Sequence, residues 1–110
     1  MIEIVKLNTI WFNQIEIKKY SDEIIDSNFK VEIVFVGIEE MKKLNKNYRN
    51  INTATDILTF TDGNIESLHQ IIICPEIAQK NCSKYQNTLG KELKLLIFHG
   101  WQHITGKHHH

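Results

Sequence analysis

Apolar positions recur along this chain with two periods, and the switches between them divide it into eight elements. Ile2, Ile4 and Leu7 flank Val5 in a short β-type run at the start. From Trp11 to Ile25 the apolar residues fall at 11, 12, 15, 20, 24 and 25, close to the spacing of a helical face. Asn28 and its neighbours break that helix. Val31 to Val36 is β-branched and aromatic, which predicts a strand. Ile38 to Tyr48 is a charged amphipathic helix with Met41, Leu44 and Tyr48 on its apolar face.

Asn50 to Thr55 is a polar loop, Asp56 to Phe60 a third strand, and Asp62-Gly63-Asn64 a turn. Ile71 to Cys74 is apolar throughout, as a strand covered on both faces is. Pro75 suits the first turn of a helix that runs to about Tyr85. Leu89 to Ile104 is the last and most apolar helix, with Leu93, Leu96, Ile97 and Trp101 on its buried side.

The order β-α-β-α-β-β-α-α mixes strands and helices without a regular βαβ repeat. It predicts an α+β fold, a mixed sheet of about four strands packed with helices, as one domain over residues 1–110. A chain of 110 residues buries a core without disulfide staples. Cys74 and Cys82 make no disulfide framework, so a reduced, cytoplasmic setting is expected. No basic segment followed by a long apolar stretch opens the chain, and the apolar runs at 71–74 and 95–98 are too short to span a bilayer. No membrane association is expected. Thirteen basic residues balance thirteen acidic ones, so any nucleic-acid site has to be a local basic patch. Neither a Gly-rich dinucleotide fingerprint nor a Walker-type phosphate loop is present.

The chemistry concentrates at the end of the last helix. His99 and His103 are four residues apart, on one helical face and about 6 Å apart along the axis. Gly106 can end the helix and send His109 back toward the same point. Three imidazoles on one Zn²⁺ leave its fourth position open, as catalytic zinc sites do. The pair taken alone also fits two surface histidines. The run His108-His109-His110 is also how a purification tag begins, so His109 carries two readings. Gly100 follows His99 where zinc peptidases place a glutamate base, which disfavours peptide hydrolysis.

Arg49 is the only arginine; the other twelve basic residues are lysines. Its guanidinium suits bidentate phosphate contact, and it equally suits a cation closing a helix C-terminus. Lys42, Lys43 and Lys46 precede it on the same helix and either track an RNA backbone or solvate the helix's outer face. Trp101 reads as core and His69 as a surface histidine. Thr55 and Asp56 read as residues that shape the loop beside the site.

Two stretches together resemble the YbeY family of bacterial endoribonucleases. Leu44, Asn45, Tyr48 and Arg49, leading to Thr55, Asp56, Leu58 and Phe60, match its Leu-Asn-x-x-Tyr-Arg segment and Thr-Asp-Val-Leu-Ser-Phe strand. His99, Gly100, His103, Gly106 and His109 match its closing His-Gly-x-x-His-x-x-Gly-x-Asp-His. Ile71 to Cys74 is similar to its Gly-Asp-Ile-Val-Ile-Cys strand. The chain departs from the pattern at Ala54 and Thr61, where the family has prolines, at His69-Gln70 for Gly-Asp, and at His108 for aspartate.

The resemblance implies a zinc-dependent, single-strand-specific endoribonuclease acting in 16S ribosomal RNA maturation and ribosome quality control. His99, His103 and His109 would hold one Zn²⁺, and Arg49 and His99 would be the catalytic residues. Single-stranded or ribosomal RNA and the small ribosomal subunit would be its partners. Two alternatives stand beside it. One is an assembly factor that keeps the metal site and binds RNA or ribosome without cutting, which the carboxylate missing at Gln70 favours. The other is a metal-dependent hydrolase of a different anionic substrate. In a third reading the metal only pins the C-terminal helix.

Overall fold

The computed structural model describes residues 2–7, 10–84 and 88–108. Eight elements follow in order: β1 (Ile2–Leu7), α1 (Gln14–Ile24), β2 (Lys30–Val36), α2 (Ile38–Arg49), β3 (Ile57–Phe60), β4 (Leu68–Ile73), α3 (Pro75–Lys84) and α4 (Leu89–His108). The strands form one mixed sheet in the order β1-β2-β4-β3. β1 runs parallel to β2, β2 parallel to β4, and β3 antiparallel to β4, with Ile57 opposite Ile73 and Phe60 opposite Gln70. β3 is therefore an edge strand, and that position builds the site.

Strand alternation divides the core between the two sheet faces. Val31, Ile33 and Phe35 of β2 join Ile71 and Ile73 of β4 under Ile17 of α1 and Leu93, Leu96, Ile97 and Ile104 of α4. Val36 and Ile72 turn the other way and pack with Met41 of α2 and Leu58 of β3. β4 is covered on both faces, as its apolar run predicts.

Several expected boundaries move for local reasons. α1 starts at Gln14 instead of Trp11, because the Asn13 side chain accepts the Glu16 N–H at 3.0 Å and caps the helix there. Trp11 is left outside the helix and is 78% exposed, while Ile15, inside it, faces solvent at 82%. β4 begins at Leu68, three residues early, because the strand continues through polar positions opposite β2. His69 thus lies in the sheet and is fully buried, against the expectation of a surface histidine. Its Nδ1 shares a 2.7 Å hydrogen bond with the Thr61 hydroxyl, and its ring packs on Phe29 at 5.6 Å. Two departures from the family pattern, at 61 and 69, thereby meet in one contact. Trp101 packs edge-on against Phe29 at 5.0 Å, in the core as expected.

The β3–β4 turn carries the chain's one positive-φ glycine among the described residues, Gly63 at φ 81°. The Asn64 N–H and the Ser67 hydroxyl hold the Asp62 carboxyl below its ordinary range there. Both cysteines are buried and free, and burial pushes the Cys74 thiol up. Among the described residues no helix is long and apolar enough to cross a membrane.

Candidate functional site

Three elements converge on one cleft of about 340 Å³, lined by Arg49, Ile57, Leu58, Thr59, His99, Gly100 and His103. α2 supplies Arg49 as its last residue. The helix stops there because Asn50 takes a left-handed conformation, φ 57° and ψ 32°, and its N–H bonds back to Lys46 O at 3.0 Å. Asparagine tolerates that conformation better than most residues. The following loop is tied down from inside: the buried Asn45 amide donates to Thr53 O at 2.9 Å. Asn45→Ala removes that bond, while Asn45 Oδ1 has no partner to lose. Thermal melting should therefore show a loss of about 1 kcal/mol, with the 50–55 loop loosened around Arg49.

Asp56 fixes the start of β3. Its carboxylate accepts the Asn81 amide of α3 at 3.3 Å and the Thr55 hydroxyl at 3.5 Å, and its carbonyl accepts the Cys74 N–H at 2.9 Å. That backbone bond also sets the phase of the ladder. Asp56 being hydrogen-bonded to its partner, antiparallel alternation puts Leu58 and Phe60 in the other bonded pairs. The N–H and C=O groups of Ile57 and Thr59 then face away from β4, toward the cleft.

α4 closes the third side. His99 and His103 follow each other by one turn, both exposed and both lining the cleft. Gly100 between them lets the helix lie against the sheet: a Cβ there would meet Ile71 Cγ2 at 2.9 Å and its Cγ1 and Cδ1 at 3.0 Å. In the sequence Gly100 shows only as a position without the peptidase glutamate and as a match to the family motif. Its packing role is invisible without knowing that α4 crosses β4.

The expected helix end at Gly106 is not present. α4 continues to His108, and Gly106 keeps a negative φ. His109, the third expected ligand, lies outside the described residues. Among the described residues no group of three His, Cys, Asp or Glu side chains is placed to hold a metal ion. The cleft brings together two imidazoles and one guanidinium.

Lys42 and Lys46 lie at i−7 and i−3 of Arg49, along one side of α2, with Lys43 further round the exposed surface. None of the three lines the cleft. Gln70 is on the opposite sheet face from the histidines, bonded to Glu32 at 2.8 Å in a separate groove. Its substitution for aspartate does not alter the cleft lining.

The family profile for Endoribonuclease YbeY matches residues 3–110. This chain belongs to the YbeY family. It is 37% identical over 79 residues to Endoribonuclease YbeY of Thermosipho melanesiensis, covering 72% of this chain and 57% of that protein. It is 29% identical over 119 residues to Endoribonuclease YbeY of Staphylococcus carnosus, covering 94% of this chain and 76% of that one. The solution structure of TM1509 from Thermotoga maritima superposes with a TM-score of 0.66 at 27% identity, covering 96% of this chain and 73% of that chain. The matched part of the Thermosipho YbeY is thus a little over half its length, and the segments that place Arg49, His99 and His103 all fall within the region the YbeY profile spans.

Proposed function

We propose that this protein is a metal-dependent endoribonuclease that cuts single-stranded RNA, with ribosomal RNA as its substrate and the small ribosomal subunit as its partner. Ribosomal RNA maturation, ribosome quality control and a cytoplasmic setting belong to the same reading. The observation that carries it is the shared cleft of Arg49, His99 and His103 along the edge of β3. Family membership supplies the reaction class.

Two imidazoles one turn apart on one wall of a cleft are the donor type that zinc takes, and His109 is the third donor in this reading. When bound, such an ion supplies Lewis acidity to a phosphoryl oxygen and lowers the pKa of water. The rest of the work falls to the chain. Arg49 grips two phosphate oxygens with its planar fork and neutralises the charge that gathers there during displacement. The outward N–H groups of Ile57 and Thr59 hydrogen-bond an extended backbone laid along the edge of β3. The apolar surfaces of Ile57 and Leu58 keep water from that wall. No carboxylate lines the cleft among the described residues, which suits an anionic substrate and supplies no peptidase-type base.

The test uses a labelled single-stranded RNA and its perfect duplex, with the parent protein and a His103→Ala variant purified identically. The parent should carry one zinc per chain by elemental analysis, cut the single strand in preference to the duplex, and stop on chelation. His103→Ala should lose both zinc and cleavage. Tight RNA binding with bound zinc and no cleavage would replace this reading with that of an assembly factor. Cleavage that survives both chelation and the substitution would come from another nuclease and would sink the proposal.

A further inference from the structure

Tyr48 stands outside the core that its helical spacing assigns it to. Met41 on the same face of α2 is fully buried, yet Tyr48 is 66% exposed. It falls on the last turn of α2, where its ring rests on Phe60 with centroids 4.6 Å apart and planes tilted by 59°. Phe60 braces one side of the ring, and most of the remainder is open. The placement of the pair is more telling than its exposure. Tyr48 immediately precedes Arg49, and Phe60 immediately follows Thr59, so two walls of the cleft each lead directly into one member of the pair.

The geometry points to the Tyr48–Phe60 pair as a stacking platform for the nucleobase next to the phosphate held by Arg49. This rests on the ribonuclease reading and adds a selectivity residue to it. Arg49 recognises phosphate, which single and double strands share. An aromatic ring accepts the face of any unpaired base, whereas bases in a duplex already stack on each other. The platform therefore gives the cleft a reason to prefer single strands.

Charge orients the nucleotide. The groove beside the ring is lined by Glu32 and Glu40 together with Leu44, Phe60 and Gln70. Carboxylates repel a phosphate there but not an uncharged base. Arg49, with Lys46 and Lys42 behind it, holds the backbone on the other side of Tyr48. The base turns toward the groove while its phosphate stays in the cleft.

The test measures binding by fluorescence anisotropy, using a labelled single-stranded RNA and an oligomer of equal length built from abasic units. The parent should bind the RNA more tightly than the abasic oligomer. Tyr48→Ala should weaken RNA binding roughly 10–100-fold and leave abasic binding unchanged, erasing the preference for bases. Tyr48→Phe should retain it. In Tyr48→Trp, RNA should quench indole emission beyond the baseline set by Trp11 and Trp101 in the parent, and the abasic oligomer should not, which reads stacking at position 48. Unaltered RNA binding by Tyr48→Ala, or equal losses for both oligomers, would overturn the platform while leaving the ribonuclease reading intact. A parent protein that binds neither oligomer would overturn the ribonuclease reading and the platform with it.

Discussion

Arg49→Ala is expected to lower cleavage of single-stranded RNA by about 10²–10³-fold, the usual cost of removing a group that stabilises charge in the transition state. The fold should hardly notice. Arg49 is exposed at the end of α2 and makes no ion pair among the described residues. Its other conceivable role, as a cation at a helix C-terminus, is worth about 0.3–1 kcal/mol at an exposed position. The two roles therefore separate cleanly. A phosphate clamp loses activity with melting displaced by no more than about 8 °C; a helix-end cation shows that melting change and full activity. Arg49→Lys sharpens the comparison, because it keeps the charge and discards the fork. The lysine variant should fall between parent and alanine in cleavage rate. Initial rates on one RNA, read beside thermal melts of all three proteins, decide it, and equal rates would remove Arg49 from the site.

Much of the fold is legible in the sequence because most elements bury one face or two. Val31 to Val36 alternates between two apolar cores, and Ile71 to Cys74 is apolar because both faces of β4 are covered. The sequence misleads where a polar residue sits in a buried place. Gln70 and His69 break the apolar run of β4, so the strand reads three residues short, although the His69 ring is bonded at Nδ1 to Thr61 and packed on Phe29. The start of α1 carries its own signal: Asn13 with Glu16 three residues later is a capping signature, and it outweighs the apolar Trp11. Gly106 misleads in the opposite sense, since glycine permits a helix end without enforcing one.

The site shows the same division. The residue types were legible, as was the one-turn spacing of His99 and His103. Their meeting with Arg49, fifty positions away, was not. It depends on the strand order β1-β2-β4-β3, which puts β3 at the edge between the end of α2 and the flank of α4. Local periodicity carries no information on that order; the family resemblance implied that Arg49 and His99 share a site, without the strand order that brings them together.

The approach of α4 to the sheet gives the other large effect. In Gly100→Ala the new methyl is expected to destabilise the protein by about 1–2 kcal/mol. Overpacking typically costs about 1–3 kcal/mol, and the better helix propensity of alanine returns up to about 1. Melting should fall by about 4–8 °C per kcal/mol in a domain of this size. The obstacle cannot rotate aside easily. Two of the three atoms met are Cγ1 and Cγ2 of Ile71, which is fully buried in the sheet. Relief has to come from α4 moving outward, and His99 and His103 flank the substituted position. Cleavage and zinc retention should therefore drop together with stability. Ile71→Ala provides the control, since it deletes all three obstructing atoms at a cost of about 2–5 kcal/mol on its own. Added to that background, Gly100→Ala should cost less than in the parent, because its methyl enters the space the isoleucine vacated. A double-mutant cycle read by denaturant unfolding measures the difference. If the two substitutions simply add, close contact with Ile71 is not what position 100 requires, and the seating of both histidines needs another explanation.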